Sequence, residues 1–287
     1  MSTHIVGAPN SPLAATLETF FERKTACDLE GTMSYFSPKL VSYIDATLGW
    51  DFDSYEALKA VFAQYMPNWS PPARSYATRV LSNESSALVN MTDTPELFGG
   101  ELRVLAAIDF ADGKIVRWVD YWDSSSFDGA LYAQFRTPAD AFPSDLKDSE
   151  VATRAAPEVV AAATALQRAF SAADASTAAN LMHTDVVLED MSLRCQVIGR
   201  IETSHYLGRV LGDVPYGRSS RLRHVIGGSR GGGFEWSAGP HAANLAGITA
   251  LELDVDGLIT KITSVYDSRQ LGSGRKAALV TAAFAPG

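Results

Sequence analysis

Residues 115–123 read Ile-Val-Arg-Trp-Val-Asp-Tyr-Trp-Asp and follow the turn pair Asp112-Gly113. An Asp-Gly turn between apolar runs is typical of a β-hairpin, so we expect residues 115–123 to form a strand. Successive side chains of a strand point to opposite faces, and Trp118, Asp120 and Trp122 therefore share one face. This face carries an acid between two indoles, where water solvates a carboxylate poorly.

The pattern recurs in the second half of the chain. Asp256-Gly257 precedes the run Ile-Thr-Lys-Ile-Thr-Ser-Val-Tyr-Asp over residues 259–267, in which Ser264 stands at the position of Asp120. The elements before the two runs follow in the same order with a nearly constant offset, which is typical of an internal duplication. We therefore expect two copies of one fold, of which only the first kept its acid.

Hydrophobic periodicity predicts the same elements in both copies. An amphipathic helix, with Lys24 among the residues on its apolar spacing, precedes a short helix, a strand, a third helix and four further strands. In the first copy we expect helices near 13–28, 28–36 and 55–65, and strands near 40–45, 75–82, 86–93, 101–110 and 115–123. In the second copy we expect helices near 159–173, 174–183 and 202–211, and strands near 185–190, 219–226, 233–238, 246–254 and 259–267.

The length of 287 residues suits two domains of about 140 residues each. Residues 124–156 are rich in Ser, Asp, Ala and Pro. We expect one domain over 1–140, a linker over 141–156 and a second domain over 157–287. The fold class predicted is α+β, with N-terminal helices packed on a sheet in each of two tandem domains.

The net charge of −9, from 24 basic and 33 acidic residues, argues against a nucleic-acid or anionic-membrane surface, because both need a basic footprint. A small neutral or cationic ligand fits better. No apolar run reaches the length of about 18 residues that spans a bilayer, and the N-terminus lacks a signal-like pattern. We expect a cytoplasmic protein in which Cys27 and Cys195 are free thiols.

Metal and cofactor motifs are missing from the sequence. The five histidines show no His-x-x-x-His spacing, which would place two ligands on one helix face. No Gly-x-Gly-x-x-Gly turn is present to hold a dinucleotide. We therefore expect neither a metal ion nor a cofactor.

The element order, closing on Trp-x-Asp-Tyr-Trp-Asp, resembles the cone-shaped α+β fold of the nuclear transport factor 2-like superfamily, which includes SnoaL-like proteins. The resemblance covers both halves and implies a curved, mostly antiparallel sheet in each. Residues 115–123 are similar to the final strand of the limonene-type epoxide hydrolases, Ile-Thr-Gly-Trp-Arg-Asp-Tyr-Phe-Asp. The tandem arrangement also resembles the epoxide-opening cyclases of polyether biosynthesis.

This resemblance places Asp120 on the catalytic aspartate of those hydrolases. Their Tyr-x-Asn is matched loosely by Tyr43-x-Asp45, and their Arg-x-Asp falls near Asp93 on a strand without arginine. We expect Asp120 to act as the acid, because desolvation raises the pKa of a carboxyl. Asp45 is the expected second carboxylate, with Tyr43 as a hydrogen-bond donor beside it, and Asp93 and Asp109 are the other choices.

Other residues are expected to bind the substrate, and Arg103 among them to hold one carboxylate ionised. The full set predicted to bind substrate is Trp118, Trp122, Trp50, Tyr65, Trp69, Asp93 and Arg103. In the second copy the residues that could line a cavity are Glu189, Asp190, His224, Glu235, Trp236 and His241.

These features predict a cofactor-independent acid–base enzyme that opens or cyclises an epoxide on an apolar, polyketide- or terpenoid-like small molecule. A polyketide cyclase or ketosteroid isomerase-like enzyme is the alternative that uses the same residues. A non-catalytic small-molecule carrier or assembly module is an alternative of another class. We further expect the two copies to pair within the chain as a pseudo-dimer, as single-domain relatives pair between chains, which predicts a monomer in solution.

Overall fold

The computed structural model describes residues 12–239 and 245–285, and contacts divide the chain into two units. The first unit ends at Arg154, while residues 123–125 group with the second unit, which continues from Ala155. Each unit consists of helices and one six-stranded sheet. The predicted α+β class with two tandem domains is thereby confirmed.

The first unit contains five α-helices and six strands among its described residues. The helices are α1 (Pro12–Thr25), α2 (Leu29–Met33), α3 (Tyr55–Tyr65), α4 (Pro95–Phe98) and α5 (Gly129–Phe135). The strands are β1 (Ser42–Asp45), β2 (Trp50–Phe52), β3 (Ser75–Ser82), β4 (Ser86–Asp93), β5 (Leu102–Ala111) and β6 (Lys114–Tyr121).

Among its described residues, the second unit repeats this order apart from α4. Its helices are α6 (Pro157–Ser171), α7 (Ala175–Asn180), α8 (Arg200–Val210) and α9 (Ser273–Ala283). Its strands are β7 (Met182–Asp190), β8 (Cys195–Ile198), β9 (Arg221–Gly228), β10 (Gly231–Ser237), β11 (Ala246–Leu253) and β12 (Ile259–Tyr266). Periodicity missed β2 and β8, because three and four residues are too few to show alternation.

Equivalent caps begin the second helix of each unit. The Asp28 side chain accepts a hydrogen bond from the backbone N–H of Gly31 at 2.9 Å, and Asp174 accepts one from Thr177 at 3.0 Å. A side-chain oxygen at this position satisfies a helix N–H that has no partner within the helix. The duplication seen in the sequence thus extends to helix capping.

Strand order is the same in both sheets. The first sheet has the order β2-β1-β6-β5-β4-β3 and the second β8-β7-β12-β11-β10-β9. β1 runs parallel to β6, and in this register Tyr43 pairs with Trp118 and Asp45 with Asp120. The acids of the first and last strands of the unit are therefore direct neighbours.

The first sheet bends at two irregularities. Register shifts occur between Ala77 and Arg79 on β3 and between Asp109 and Phe110 on β5. Such bulges increase the local twist and curvature of a sheet. The helix-covered face of this sheet carries the larger part of the core, including Trp118 and Ile108.

The residues expected to form a linker pack on the first unit as far as Arg154. The guanidinium Nε of Arg117 donates to the Leu146 carbonyl at 2.7 Å, and the Asn83 amide donates to the Arg154 carbonyl at 2.6 Å. Arg117 is fully buried and pairs with Asp109 at 2.9 Å. These bonds hold the segment after α5 against the outer face of the sheet.

Candidate functional site

A cavity that opens to solvent lies in the first unit. Residues of α1, α3 and one face of the sheet surround it, and half of the surrounding residues are aromatic. Charged groups reach it from Lys24, Asp45, Asp93 and Asp120. An apolar wall with a few polar groups is typical of a small-molecule site.

Asp120 on β6 is held by two donors. The Tyr43 hydroxyl donates to Asp120 Oδ2 at 2.6 Å, and the Trp118 indole N–H donates to Asp120 Oδ1 at 2.6 Å. Tyr43 reaches this carboxyl because β1 runs parallel beside β6. With 6% of its surface exposed, Asp120 is both fixed in orientation and largely removed from water.

Burial raises the pKa of Asp120 to about 7. The nearby charge of Asp45 contributes to this rise, whereas the hydrogen bonds from Tyr43 and Trp118 and the charge of Lys24 oppose it. A group with a pKa near the working pH transfers protons efficiently, because both of its forms are populated. Asp120 therefore has the protonation behaviour expected of a general acid or base.

Asp45, at the end of β1, is held by three N–H groups. Its Oδ1 accepts from the backbone of Thr47 and of Leu48 at 2.8 Å, and its Oδ2 accepts from the Trp122 indole at 3.0 Å. Hydrogen bonds of this kind stabilise the ionised form of a carboxyl. Asp45 thus supplies a negative charge beside Asp120.

A buried ion pair is the second polar feature of the cavity. Lys24 Nζ lies 3.5 Å from both carboxylate oxygens of Asp93, and each side chain is 6% exposed. Asp93 lies at the cavity as expected, but Lys24 was not predicted as a site residue. The sequence feature that could have identified Lys24 is its position among the apolar residues of α1, which predicts burial. A buried ammonium requires a charged partner.

Trp50, Tyr65 and Trp69, which were predicted to bind substrate, line the cavity. The rings of Trp50 and Tyr65 stack with centroids 6.0 Å apart, and the Trp50 indole donates to the Phe135 carbonyl at 2.7 Å. Trp69 packs edge-on against Phe98 at 5.8 Å. These contacts restrict the rings, so the wall they form is largely preorganised.

The indoles on either side of Asp120 have different surroundings from those expected. Trp118 lies in the core behind Asp120, stacked on Tyr43 at 5.7 Å and packed on Phe20 at 5.3 Å. Trp122 lines the cavity but donates to Asp45. Trp118 therefore positions the acid, which corrects its expected role in substrate binding.

Arg103 and Asp109 require a second correction. Arg103 lies on β5 between two residues that line the cavity, so strand alternation turns it to the opposite face. There its side chain is 69% exposed and its Nε lies 2.8 Å from Glu101. Asp109 lies on the same outer face in its ion pair with Arg117. The cation near the acids is consequently Lys24.

The second unit keeps part of this arrangement. Asp190, the counterpart of Asp45, accepts from the backbone N–H groups of Ser192 and Leu193 at 3.0 and 2.9 Å. Its Oδ2 also accepts from the Tyr216 hydroxyl at 3.0 Å. Ser264 stands in place of the second acid. The Asp120–Tyr43 pair therefore has no counterpart in the described part of this unit.

Burial raises the pKa of Asp190 to about 7. The unfolded side chain titrates near pH 4, so its stabilising contribution is full below about pH 4 and is lost as pH rises to about 7. Asp190→Asn keeps an oxygen for the backbone donors and removes this loss. We expect the variant to gain about 2–4 kcal/mol relative to wild type between pH 4 and pH 8, measured by urea unfolding at both values. If the difference in unfolding free energy between the variant and wild type were the same at pH 4 and pH 8, this expectation would be wrong.

The described ranges, 12–239 and 245–285, lack both a metal-binding cluster and a membrane-spanning helix. They contain no group of three or more His, Cys, Asp or Glu side chains able to hold a metal ion. The helices there are too short or too polar to cross a membrane. His241, expected near a cavity in the second copy, lies outside these ranges.

No family model matches the chain, and no curated protein matches it. A steroid delta-isomerase from Pseudomonas aeruginosa is similar in structure, with 19% sequence identity and a TM-score of 0.36. The match covers 44% of the present chain and 89% of the isomerase chain. For an NTF-2-like protein of unknown function from Burkholderia xenovorans LB400, the match covers 42% of the present chain and 86% of the other chain, with 14% identity and a TM-score of 0.31. For a SnoaL-like protein of unknown function from Burkholderia thailandensis E264, the match covers 39% of the present chain and 95% of the other chain, with 9% identity and a TM-score of 0.34.

Proposed function

We propose that the protein is a cofactor-independent acid–base enzyme that opens or cyclises an epoxide on an apolar small molecule. The observation that carries the proposal is the Asp120 carboxyl, whose pKa is raised to about 7 at the wall of an aromatic cavity. Opening an epoxide needs a proton donor together with a second group that accepts a proton. The acid and two further carboxylates face the same cavity.

In the proposed reaction Asp120 gives its proton to the epoxide oxygen as one carbon–oxygen bond of the ring breaks. The oxygen of a water molecule, or of a hydroxyl group of the substrate, forms a new bond to the released carbon. The proton of this nucleophile passes to the second carboxylate. A proton then moves from that carboxylate to Asp120 through solvent, which restores the starting state.

Asp93 is the second carboxylate that we prefer. Asp45 already accepts hydrogen bonds from two backbone groups and an indole, so both of its oxygens are engaged by the protein. Asp93 lines the same cavity and has its ion-pair partner Lys24 at 3.5 Å. In this scheme Asp45 acts through its charge, which raises the pKa of Asp120.

One observation favours the alternative of an isomerase or polyketide cyclase. Both short contacts of Asp120 come from donors, Tyr43 and Trp118, and donors suit a carboxylate that acts as a base. The Lys24 ammonium at the same cavity could stabilise an enolate oxygen. The two reactions require opposite protonation states of Asp120 in the free enzyme.

The pH profile of kcat/KM therefore separates the two reactions. If Asp120 is the acid, we expect kcat/KM to fall about tenfold per pH unit above about pH 7, because the protonated form is lost. Asp45→Asn removes a charge that raises the pKa of Asp120. We therefore expect the fall in kcat/KM to begin at a lower pH in this variant. The measurement uses the best substrate from a panel of terpenoid and polyketide epoxides. As a control, Asp190→Asn should leave the pH dependence of kcat/KM unchanged. A rate that rises through pH 7 would favour the isomerase.

A further inference from the structure

The carboxylates that line the cavity differ in how many hydrogen bonds they receive from the protein. Asp120 accepts from a hydroxyl and an indole, and Asp45 accepts from two backbone groups and an indole. Among the residues that the structure describes, Asp93 accepts hydrogen bonds from Lys24 alone. The Lys24–Asp93 pair therefore keeps more of its hydrogen-bonding capacity than the other acids do.

The contacts within this pair are long. Lys24 Nζ lies 3.5 Å from each oxygen of Asp93, whereas N–H···O bonds between charged groups usually measure about 2.7–2.9 Å. An ammonium carries three N–H donors, and each carboxylate oxygen can accept more than one bond. In the described ranges the hydrogen bonds of Lys24 both go to Asp93, and both side chains line the cavity. At least one donor and several acceptor positions are thus available to a ligand.

Contacts at the end of α1 hold the pair in place. The Thr25 hydroxyl donates to the Ser75 carbonyl at 2.8 Å and accepts from the Ser75 N–H at 3.0 Å. Ser75 is the cross-strand partner of Asp93. The residue next to Lys24 is therefore fastened to the strand beside Asp93. Groups that are fixed before binding lose less free energy to ordering when a ligand arrives.

Packing alone does not require a charged pair at this place. Its neighbours on the cavity wall include the apolar side chains of Met91 and Leu102, and Leu102 is a cross-strand partner of Asp93. Burying two charges costs free energy that their attraction repays only in part, and apolar residues of similar volume are often as stable. A function in ligand binding therefore explains the pair better than a function in stability.

The charges of the cavity select among the groups that could bind to the pair. The Lys24 ammonium shares the cavity with three carboxyl groups, those of Asp45, Asp93 and Asp120, so an anionic group is disfavoured. A carbonyl oxygen could accept from Lys24 but would donate nothing to Asp93. A hydroxyl can do both at once, because it has one O–H donor and two acceptor lone pairs.

We propose that the Lys24–Asp93 pair binds a hydroxyl group of an otherwise apolar substrate. The hydroxyl oxygen accepts from the Lys24 ammonium, and its O–H donates to the Asp93 carboxylate. The substrate class is then an apolar epoxide that also carries a hydroxyl group; the epoxide in this description rests on the proposed function, whereas the hydroxyl does not. This placement agrees with the proton-accepting role proposed for Asp93, because the bound O–H points to its carboxylate.

The test compares two naphthalenes that differ in one group. 2-Naphthol carries a hydroxyl where 2-methylnaphthalene carries a methyl group of similar size, and a phenolic hydroxyl is neutral at pH 7. We expect wild type to bind 2-naphthol at least about tenfold more tightly by isothermal titration calorimetry, because hydrogen bonds to charged groups are the stronger ones. The anion 2-naphthoate should bind more weakly than 2-naphthol.

The double variant Lys24→Met/Asp93→Leu removes both charges and should bind the two naphthalenes within about threefold of each other. Asp120→Asn should keep the preference for 2-naphthol even where it loses turnover. A preserved preference with normal turnover in Asp120→Asn would refute the proposed chemistry and support the hydroxyl site. A preference lost in Asp120→Asn would place the hydroxyl at Asp120 and overturn the hydroxyl site.

Three further results would also overturn the hydroxyl site: wild type that binds 2-naphthol no better than 2-methylnaphthalene or not at all, tighter binding of 2-naphthoate, and an unchanged preference in the folded double variant. If the double variant does not fold, Asp93→Asn is the second test, because asparagine keeps the shape of aspartate and removes its charge. We expect its preference for 2-naphthol to fall at least about threefold, since a neutral acceptor binds a hydroxyl less strongly. An unchanged preference in Asp93→Asn would count against the hydroxyl site in the same way.

Discussion

Asp120→Asn is expected to lower kcat/KM by about 10²–10⁴-fold, the usual contribution of a general acid or base. Asparagine keeps the shape of aspartate, and its amide oxygen can still accept from Tyr43 or Trp118. It has no carboxyl proton to give and accepts none near neutral pH. Steady-state kinetics on the best epoxide substrate, together with direct binding of that substrate, measure the loss and show whether it lies in the chemical step.

The matched control is Asp190→Asn in the second unit. Asp190 is also buried, with a pKa raised to about 7, but Ser264 and not a second acid stands beside it in the sheet. We expect this variant to keep the wild-type kcat/KM. If Asp120→Asn also kept it, the proposed chemistry would be wrong, and bound ligand without turnover would identify a carrier.

Lys24→Met is expected to lower the free energy of unfolding by about 3–5 kcal/mol, because it leaves Asp93 as a buried charge without its ion-pair partner. Lys24 and Asp93 are each 6% exposed, so water replaces only part of the lost contact. Urea unfolding at pH 7 measures the change. The double variant Lys24→Met/Asp93→Leu removes both charges and should recover most of the stability, because replacing a whole buried pair by apolar groups is often neutral.

Lys59→Met is the control for Lys24→Met. Lys59 pairs with Glu30 at 2.8 Å, but the glutamate side chain is 74% exposed, and exposed pairs contribute little. We expect nearly unchanged unfolding for this variant. Wild-type stability of Lys24→Met would show that Asp93 is not held as a buried charge.

Local periodicity predicted most elements correctly. The third helix was expected over 55–65 and runs from Tyr55 to Tyr65, and β3 and β4 begin and end where alternation placed them. Strand alternation also placed Asp120 on the same face as Trp118. Alternation has a fixed period of two, so such assignments depend only on residues close in the chain. They do not depend on what packs against the strand.

The errors in the site arose where several surfaces meet. Arg103 was assigned to the cavity from its charge, but alternation along β5 turns it outward. Lys24 was seen only as part of an amphipathic helix, because its partner Asp93 lies 69 positions away. No local pattern reports which buried cation faces which acid.

The sequence by itself determined the duplication, the order of elements and the asymmetry between Asp120 and Ser264. Repeated patterns and strand alternation depend only on the order of residues along the chain. Only the tertiary structure decided that Tyr43, 77 positions from Asp120, donates to it, and that the Trp236 ring packs over Gly247 in the second unit. Sheet register and helix docking join residues far apart in the chain. Burial, which raises the pKa of Asp120, exists only once that joining is complete.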